Sequence, residues 1–255
     1  RVEAARQLAA PVDAALALEL KEEQAERLNV LRGDALTALG RSVDAVLAYS
    51  RAKSDYALYA AALAAYNDGR AQDAAQSAQA LLEAFPSSLY ACEMQLVVGE
   101  AALSAGELPR AEAAFRAAIA SAADAGLHAR ALARCAWCRF MSDDAPAAEQ
   151  LFRELLQKFR EAPEADEARY MIGRCRDKQG DAGGAVRAWT LYLESAPQGT
   201  HAVDALSGLA RLDAANATQW TRRLAEQFSN SPAAVAALLD AAERAAHAGR
   251  RDEAL

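Results

Sequence analysis

Residues 166–197 read DEARYMIGRCRDKQGDAGGAVRAWTLYLESAP (Asp166–Pro197), with Gly180 near the middle. Ile172-Gly173 stand seven or eight residues before that glycine. Ala185, Trp189 and Tyr192 stand five, nine and twelve after it, and Pro197 closes the stretch. The same order recurs upstream at a constant spacing of 37 residues, marked by Gly69, Gly106, Asp143 and Gly180. Before the markers lie Ala61-Ala62, Val98-Gly99 and Cys135-Ala136; after them come Ala74, Ala111 and Ala148, then Ala78, Phe115 and Phe152, then Leu81, Ala118 and Leu155. A fixed period in this range marks a stacked repeat protein rather than one globular core.

Each copy reads as a helical hairpin. Two antiparallel helices that cross closely need small residues at the contact and one large residue to fill the hollow beside it. A glycine at the marker ends the first helix in a left-handed conformation. Pro109 and Pro146 stand three residues past their markers, where a helix accepts a first-turn proline. Pro86 and Pro197 close second helices, and Pro163 lies just past a third.

Outward from these copies, weaker ones follow. Leu31-Arg32-Gly33, Gly40, Ala45 and Tyr49 form a version with a shortened second helix. His201, Trp220, Leu224, Phe228 and Pro232 form another, and a last begins at Val235, turns at Gly249 and stops at Ala254-Leu255. The pattern resembles the tetratricopeptide repeat family, most closely its bacterial periplasmic and outer-membrane-associated members. The resemblance covers roughly residues 26 to 255. It departs from the family in its longer period and in placing Arg139 and Arg176 where the family carries a tyrosine. It implies an all-α fold, a right-handed α-solenoid of stacked antiparallel helix hairpins. The expected organisation is an N-terminal helical segment with a degenerate first repeat (1–54), then repeats at about 55–88, 92–128, 129–165, 166–200 and 201–232 and a truncated one at 235–255.

Composition agrees. Hydrophobic residues make up 53% of the chain and alanine, the best helix former, roughly a quarter. No stretch alternates like a strand, and no apolar run is long enough to span a membrane. The net charge of −7 and pI near 5.1 argue against a nucleic-acid partner, since phosphate binding needs a dominant basic face. A local basic stripe (Arg130, Arg134, Arg139, Arg169, Arg174, Arg176, Lys178) reads as a solvated face balanced by Glu161, Glu164, Asp166 and Glu167. The chain starts at Arg1 and stops inside a hairpin, so the sequence is expected to be a piece of a longer polypeptide.

The residues for chemistry are sparse. Cys135 and Cys138 form a C-x-x-C without the strand–helix context of a redox motif or a second zinc-ligand pair. With Cys92 and Cys175 they read as small buried apolar residues. His128, His201 and His247 share no repeat position. Asp143-Asp144 reads as a turn and a helix cap. No nucleophile elbow, phosphate loop or zinc-helix motif is present, so neither catalysis, a cofactor nor a metal is expected.

In the family the first helix of each hairpin lines the concave face. By resemblance the inward positions here are Tyr56, Tyr59, Leu63, Tyr66 and Asn67; Glu93, Leu96, Glu100, Leu103 and Ser104; Arg130, Ala133, Trp137, Phe140 and Met141; and Glu167, Tyr170, Arg174, Asp177 and Lys178. From these, Tyr56, Tyr59, Tyr66, Glu93, Glu100, Arg130, Trp137, Phe140, Tyr170 and Arg174 are the expected contacts for a partner protein or peptide. Aromatic and arginine side chains are the usual interface anchors; packing between neighbouring repeats is the competing role for Tyr56, Tyr59 and Trp137. The Lys and Asn that clamp chaperone C-termini in one subfamily are replaced by Tyr59 and Leu63, then Leu96 and Glu100. The joins Phe85-Pro86-Ser87-Ser88 and Phe159–Ala168 resemble those of periplasmic repeat proteins. They imply a scaffold subunit of a bacterial cell-envelope assembly, periplasmic or envelope-associated. The alternative is a cytoplasmic regulator in which a peptide-sensing repeat array controls an attached output domain.

Overall fold

The computed structural model describes residues 2–18 and 20–247. Among them it contains fourteen α-helices and no strand. The chain divides into two compact units, Arg1–Cys138 and Arg139–Leu255.

The first unit comprises α1 (Val2–Leu16), α2 (Glu22–Ala38), α3 (Ser42–Tyr49), α4 (Asp55–Asn67), α5 (Ala71–Ala84), α6 (Ala91–Ser104), α7 (Leu108–Ser121) and most of α8 (Ala125–Met141). From α1 to α7 each helix packs on the next, and α2 touches α4 and α4 touches α6. That is the contact pattern of hairpins stacked side by side. The short α3 confirms the truncated second helix read from the sequence.

The second unit holds the last residues of α8, then α9 (Ala145–Lys158), α10 (Ala165–Lys178), α11 (Ala182–Ser195), α12 (Ala202–Leu212), α13 (Ala217–Gln227) and α14 (Pro232–His247). From α9 onward each helix again packs on the next, and α12 also meets α14. The final helix starts at Pro232 itself, three residues ahead of Val235, because proline suits a first helical turn. The expected turn at Gly249 and the end at Ala254-Leu255 lie outside the described residues.

The markers do what their spacing predicts. Gly69, Gly106 and Gly180 have φ of +75°, +76° and +78°, and Asp143 adopts +63°. Around each, the next residue's N–H reaches back five residues and the marker's own N–H reaches back three: Arg70 to Ala65 and Gly69 to Tyr66, Asp181 to Arg176 and Gly180 to Asp177. These bonds satisfy carbonyls that the helix end would otherwise orphan. Asp144 and Asp181 then cap the following helices through Ala147 and Gly184. The hairpin of α12 and α13 turns without a glycine; there Asp213 accepts hydrogen bonds from Asn216 and from the Trp220 indole (2.9 Å).

The crossing alanines Ala74, Ala111, Ala148 and Ala185 are fully buried. Where one helix offers glycine, its partner fills the gap with a ring. A Cβ on Gly33 would fall inside Tyr49, one on Gly99 inside Phe115 and one on Gly173 inside Trp189. Burial of each such ring contributes on the order of 2 kcal/mol. In the α4–α5 hairpin Ala62 meets the small Ala78 position instead, and Met94, Val97 and Val98 from the next repeat complete that core.

Candidate functional site

In the first unit, α4 carries Tyr56, Tyr59 and Tyr66 at helical spacing along one side, and α6 carries Glu93 and Glu100. Tyr59 stacks on Tyr90 with ring centroids 4.1 Å apart, and Tyr56 tilts against both rings at 6.5 and 6.4 Å. The Tyr56 hydroxyl donates to Asp34 (3.1 Å), which also accepts from Tyr49 (2.8 Å). Tyr56 is thus held by its edge and its hydroxyl yet stays 39% exposed; Tyr66 is 38% exposed. Burial, then the Glu93 carboxylate beside it, pushes the Tyr59 phenol up to about 12. Glu100 takes the Arg134 guanidinium at 2.7 Å and faces Arg130 at 4.0 Å. Trp137 is half-buried.

In the second unit, Phe140 and Tyr170 are buried. Arg174 is exposed above them, its guanidinium 5.4 Å from the Phe140 ring and 6.0 Å from the Tyr170 ring, donating to the Tyr170 hydroxyl at 3.2 Å. Lys178 lies 4.6 Å over Phe140 and pairs with Asp143 at 2.6 Å. Tyr170 also stacks on His201, 4.5 Å away and nearly parallel. The two aromatics are therefore a platform under Arg174, and the arginine is what reaches solvent.

Five of the seven residues of the basic stripe pair with acids other than those the sequence suggested. Arg130 and Arg134 pair with Glu100, Arg139 with Asp144, Arg176 with Glu149 and Lys178 with Asp143. Arg169 donates to a backbone carbonyl, and Asp166 accepts from Tyr192. These acids stand on neighbouring helices or turns, where interhelical geometry decides the pairing.

Three residues escaped the sequence reading. Tyr90 stands immediately before α6, outside the first-helix positions that the resemblance marks. His201 stands at the same place before α12, three periods after Tyr90, whereas Asp34 recurs at no shared position. All four cysteines are buried, and none of them is in a disulfide. No group of histidine, cysteine and carboxylate side chains suited to a metal occurs among the described residues, and none of their helices is long and apolar enough to cross a membrane.

Comparison with known proteins agrees with this architecture. Residues 51–159 match the family model described as a tetratricopeptide repeat-like domain. No curated protein sequence matches the chain. Among solved structures, PilF of Pseudomonas aeruginosa is 14% identical, with a TM-score of 0.60 over 84% of this chain and 97% of that one. PilW, a type IV pilus biogenesis factor, is 16% identical, with a TM-score of 0.61 over 84% and 99%. The C-terminal part of a repeat-containing protein from Cytophaga hutchinsonii is 15% identical, with a TM-score of 0.67 over 93% and 99%. At these identities the likeness is one of fold. Residues 51–159 thus match the tetratricopeptide repeat-like model, and the solved structures share the fold of stacked helix hairpins seen in each unit.

Proposed function

We propose that this chain is a non-enzymatic protein–protein interaction scaffold that holds a peptide or helix of a partner on the first-helix face of its hairpins. The carrying observation is the tyrosine platform of the first unit. Tyr59 and Tyr90 fix one another by stacking, and Asp34 fixes Tyr56, so the exposed Tyr56 edge is presented already ordered. An anchor immobilised before binding loses little conformational entropy when a partner arrives. Tyr66, about two helical turns beyond Tyr59 on α4, extends the surface, and Trp137 supplies a further aromatic from α8.

We further propose that the scaffold serves a bacterial cell-envelope assembly. The support is the shared fold of PilF and PilW, the latter a pilus biogenesis factor, together with the joins at Phe85–Ser88 and Phe159–Ala168. The test uses affinity capture from native cells with tagged wild type, Tyr66→Ala and Trp137→Ala. Partners retained by wild type should be lost from both variants while the helical signal is unchanged; retention by both variants overturns the binding face. Cell fractionation of the native protein tests location separately, and recovery in the cytosol alone overturns the envelope assignment.

A further inference from the structure

On the second unit a cleft of about 380 Å³ opens between α9, α10 and α11. Its apolar walls are Leu156, Ile172 and Leu191, and its charged rim is Arg169, Arg176 and Arg187. On α10, at 100° per residue, Arg169, Ile172 and Arg176 lie roughly opposite Tyr170 and Arg174. The cleft is therefore a different surface from the one described above.

Three features bear on what it accepts. First, Leu191 is 64% exposed, a large apolar side chain left in water beside an apolar trough. Second, the rim is cationic beyond what the protein neutralises. Arg176 is engaged by Glu149 (2.8 Å) and the Gly184 carbonyl (3.2 Å), and Glu149 is already shared with Arg153 and Gln179. Arg169 donates to the uncharged carbonyl of Arg160 (3.2 Å), and Arg187 has no hydrogen-bond or ion-pair partner among the described residues. Third, the chain as a whole is acidic, with a net charge of −7. Its overall field repels anions, but screening within about 8 Å at physiological salt leaves the nearest charges in control.

We infer that this cleft docks a partner protein's acidic amphipathic segment, with a bulky apolar side chain seated against Leu156, Ile172 and Leu191 and flanking carboxylates on Arg169 and Arg187. Guanidinium forks match carboxylates in a two-point geometry, which fixes the segment's register. The open side of the cleft favours a polypeptide over a small amphiphile, because a small-ligand pocket typically encloses some 70–90% of its guest. A polypeptide covers the exposed Leu191 with its own backbone and neighbouring side chains.

The experiment uses the full chain and a fluorescein-labelled helical peptide bearing a leucine pair flanked by glutamates, read by anisotropy. A counterpart with glutamines for glutamates isolates the charge, and decanoate competition probes the small-amphiphile alternative. The glutamate peptide is expected to bind about tenfold tighter than the glutamine peptide. Arg169→Glu combined with Arg187→Glu should abolish that preference, and Leu191→Ser should weaken both peptides severalfold. Tyr66→Ala, on the other surface, should change nothing, which separates this inference from the proposed binding face. Circular dichroism verifies that each variant is folded, and Arg187→Gln alone serves if the double variant is not. Absence of binding, equal binding of the two peptides, indifference to the arginine and leucine changes, or displacement by decanoate at micromolar concentration would each overturn it.

Discussion

The Trp189 indole occupies the space directly over Gly173 on the facing helix, and its far edge rests against Gly208 of the next repeat. Its Nε1 donates to the Tyr170 carbonyl at 3.2 Å, so the ring is fixed in depth as well as in place. One aromatic thus joins its own hairpin and the following one, and the two glycines are what let it enter.

Replacing Gly173 by alanine therefore inserts a methyl group into a filled site. The helix gains propensity from alanine, worth up to about 1 kcal/mol. The indole cannot retreat, because Gly208 closes its other side. A net loss of roughly 1–3 kcal/mol is expected from overpacking, measured by urea denaturation. A variant as stable as wild type would show that the ring has room to move.

Asp143 tests the turn. Its φ of +63° is a conformation that glycine enters freely and that other residues enter at a cost of about 1–2 kcal/mol. Asparagine and aspartate tolerate it best, since their side chains bond locally. Asp143→Gly should change stability by no more than about 0.5 kcal/mol, because relief of strain offsets added chain entropy and a lost exposed pair with Lys178. Asp143→Ala should cost about 1 kcal/mol. The ranking, glycine at least equal to aspartate and both above alanine, is checked by thermal denaturation of the three proteins.

These two sites also mark how far sequence reaches. The turn glycines, crossing alanines and ring positions recur with the period, because each hairpin solves the same packing problem. Contacts that occur once leave no periodic trace. Tyr56 on Asp34 is such a contact. Tyr90 on Tyr59 and His201 on Tyr170 are one stack three periods apart, but the copies between them carry Leu96 with Leu127 and Ala133 with Glu164, so the period alone does not show it. The acid partners of the basic stripe were unreadable for a related reason. Glu149 meets Arg176 from a neighbouring helix, and a one-dimensional charge pattern does not show which helices are neighbours. The candidate face was read as a set of positions, but their exposure was not: Phe140 and Tyr170 are buried under Arg174, whereas Tyr56 and Tyr66 reach solvent.

Glu149 gives a pH-dependent prediction. It is 7% exposed, accepts hydrogen bonds from Arg176 (2.8 Å) and Gln179 (3.0 Å), and pairs with Arg153 (2.6 Å). Burial alone would raise its pKa, but the Arg176 and Gln179 hydrogen bonds and the nearby guanidinium charges outweigh it and hold the carboxyl below its usual 4.5. A folded-state pKa below the unfolded value means stability that is present above pH ~4.5 and lost as pH falls through the lower, folded value. Glu149→Gln should cost about 1–3 kcal/mol at pH 7, as expected for hydrogen bonds to a charged group. The gap between wild type and variant should narrow below about pH 4.5. Urea titrations at pH 7 and pH 3.5 read both; a constant gap would remove the carboxylate's charge from the explanation.

The cysteines give the last. Burial raises the Cys138 thiol to about 11 and the Cys175 thiol to about 12, and it raises Cys92 as well. A thiol reacts through its thiolate, so both shielding and the shifted pKa suppress attack at pH 8. The native protein should therefore react slowly with an aromatic disulfide reagent, and urea should release four fast-reacting thiols, matching the four cysteines of the sequence. Because the cysteines lie in α6, α8 and α10, the rate at which each becomes reactive in native buffer also reports local opening of its own hairpin. Cys92 donates to the Ala118 carbonyl at 3.4 Å and is the least enclosed of the four at 5% exposure, so it should react first. Single Cys→Ser variants assign the order, and prompt reaction of Cys138 or Cys175 in the folded protein would contradict the packing described for α8 and α10.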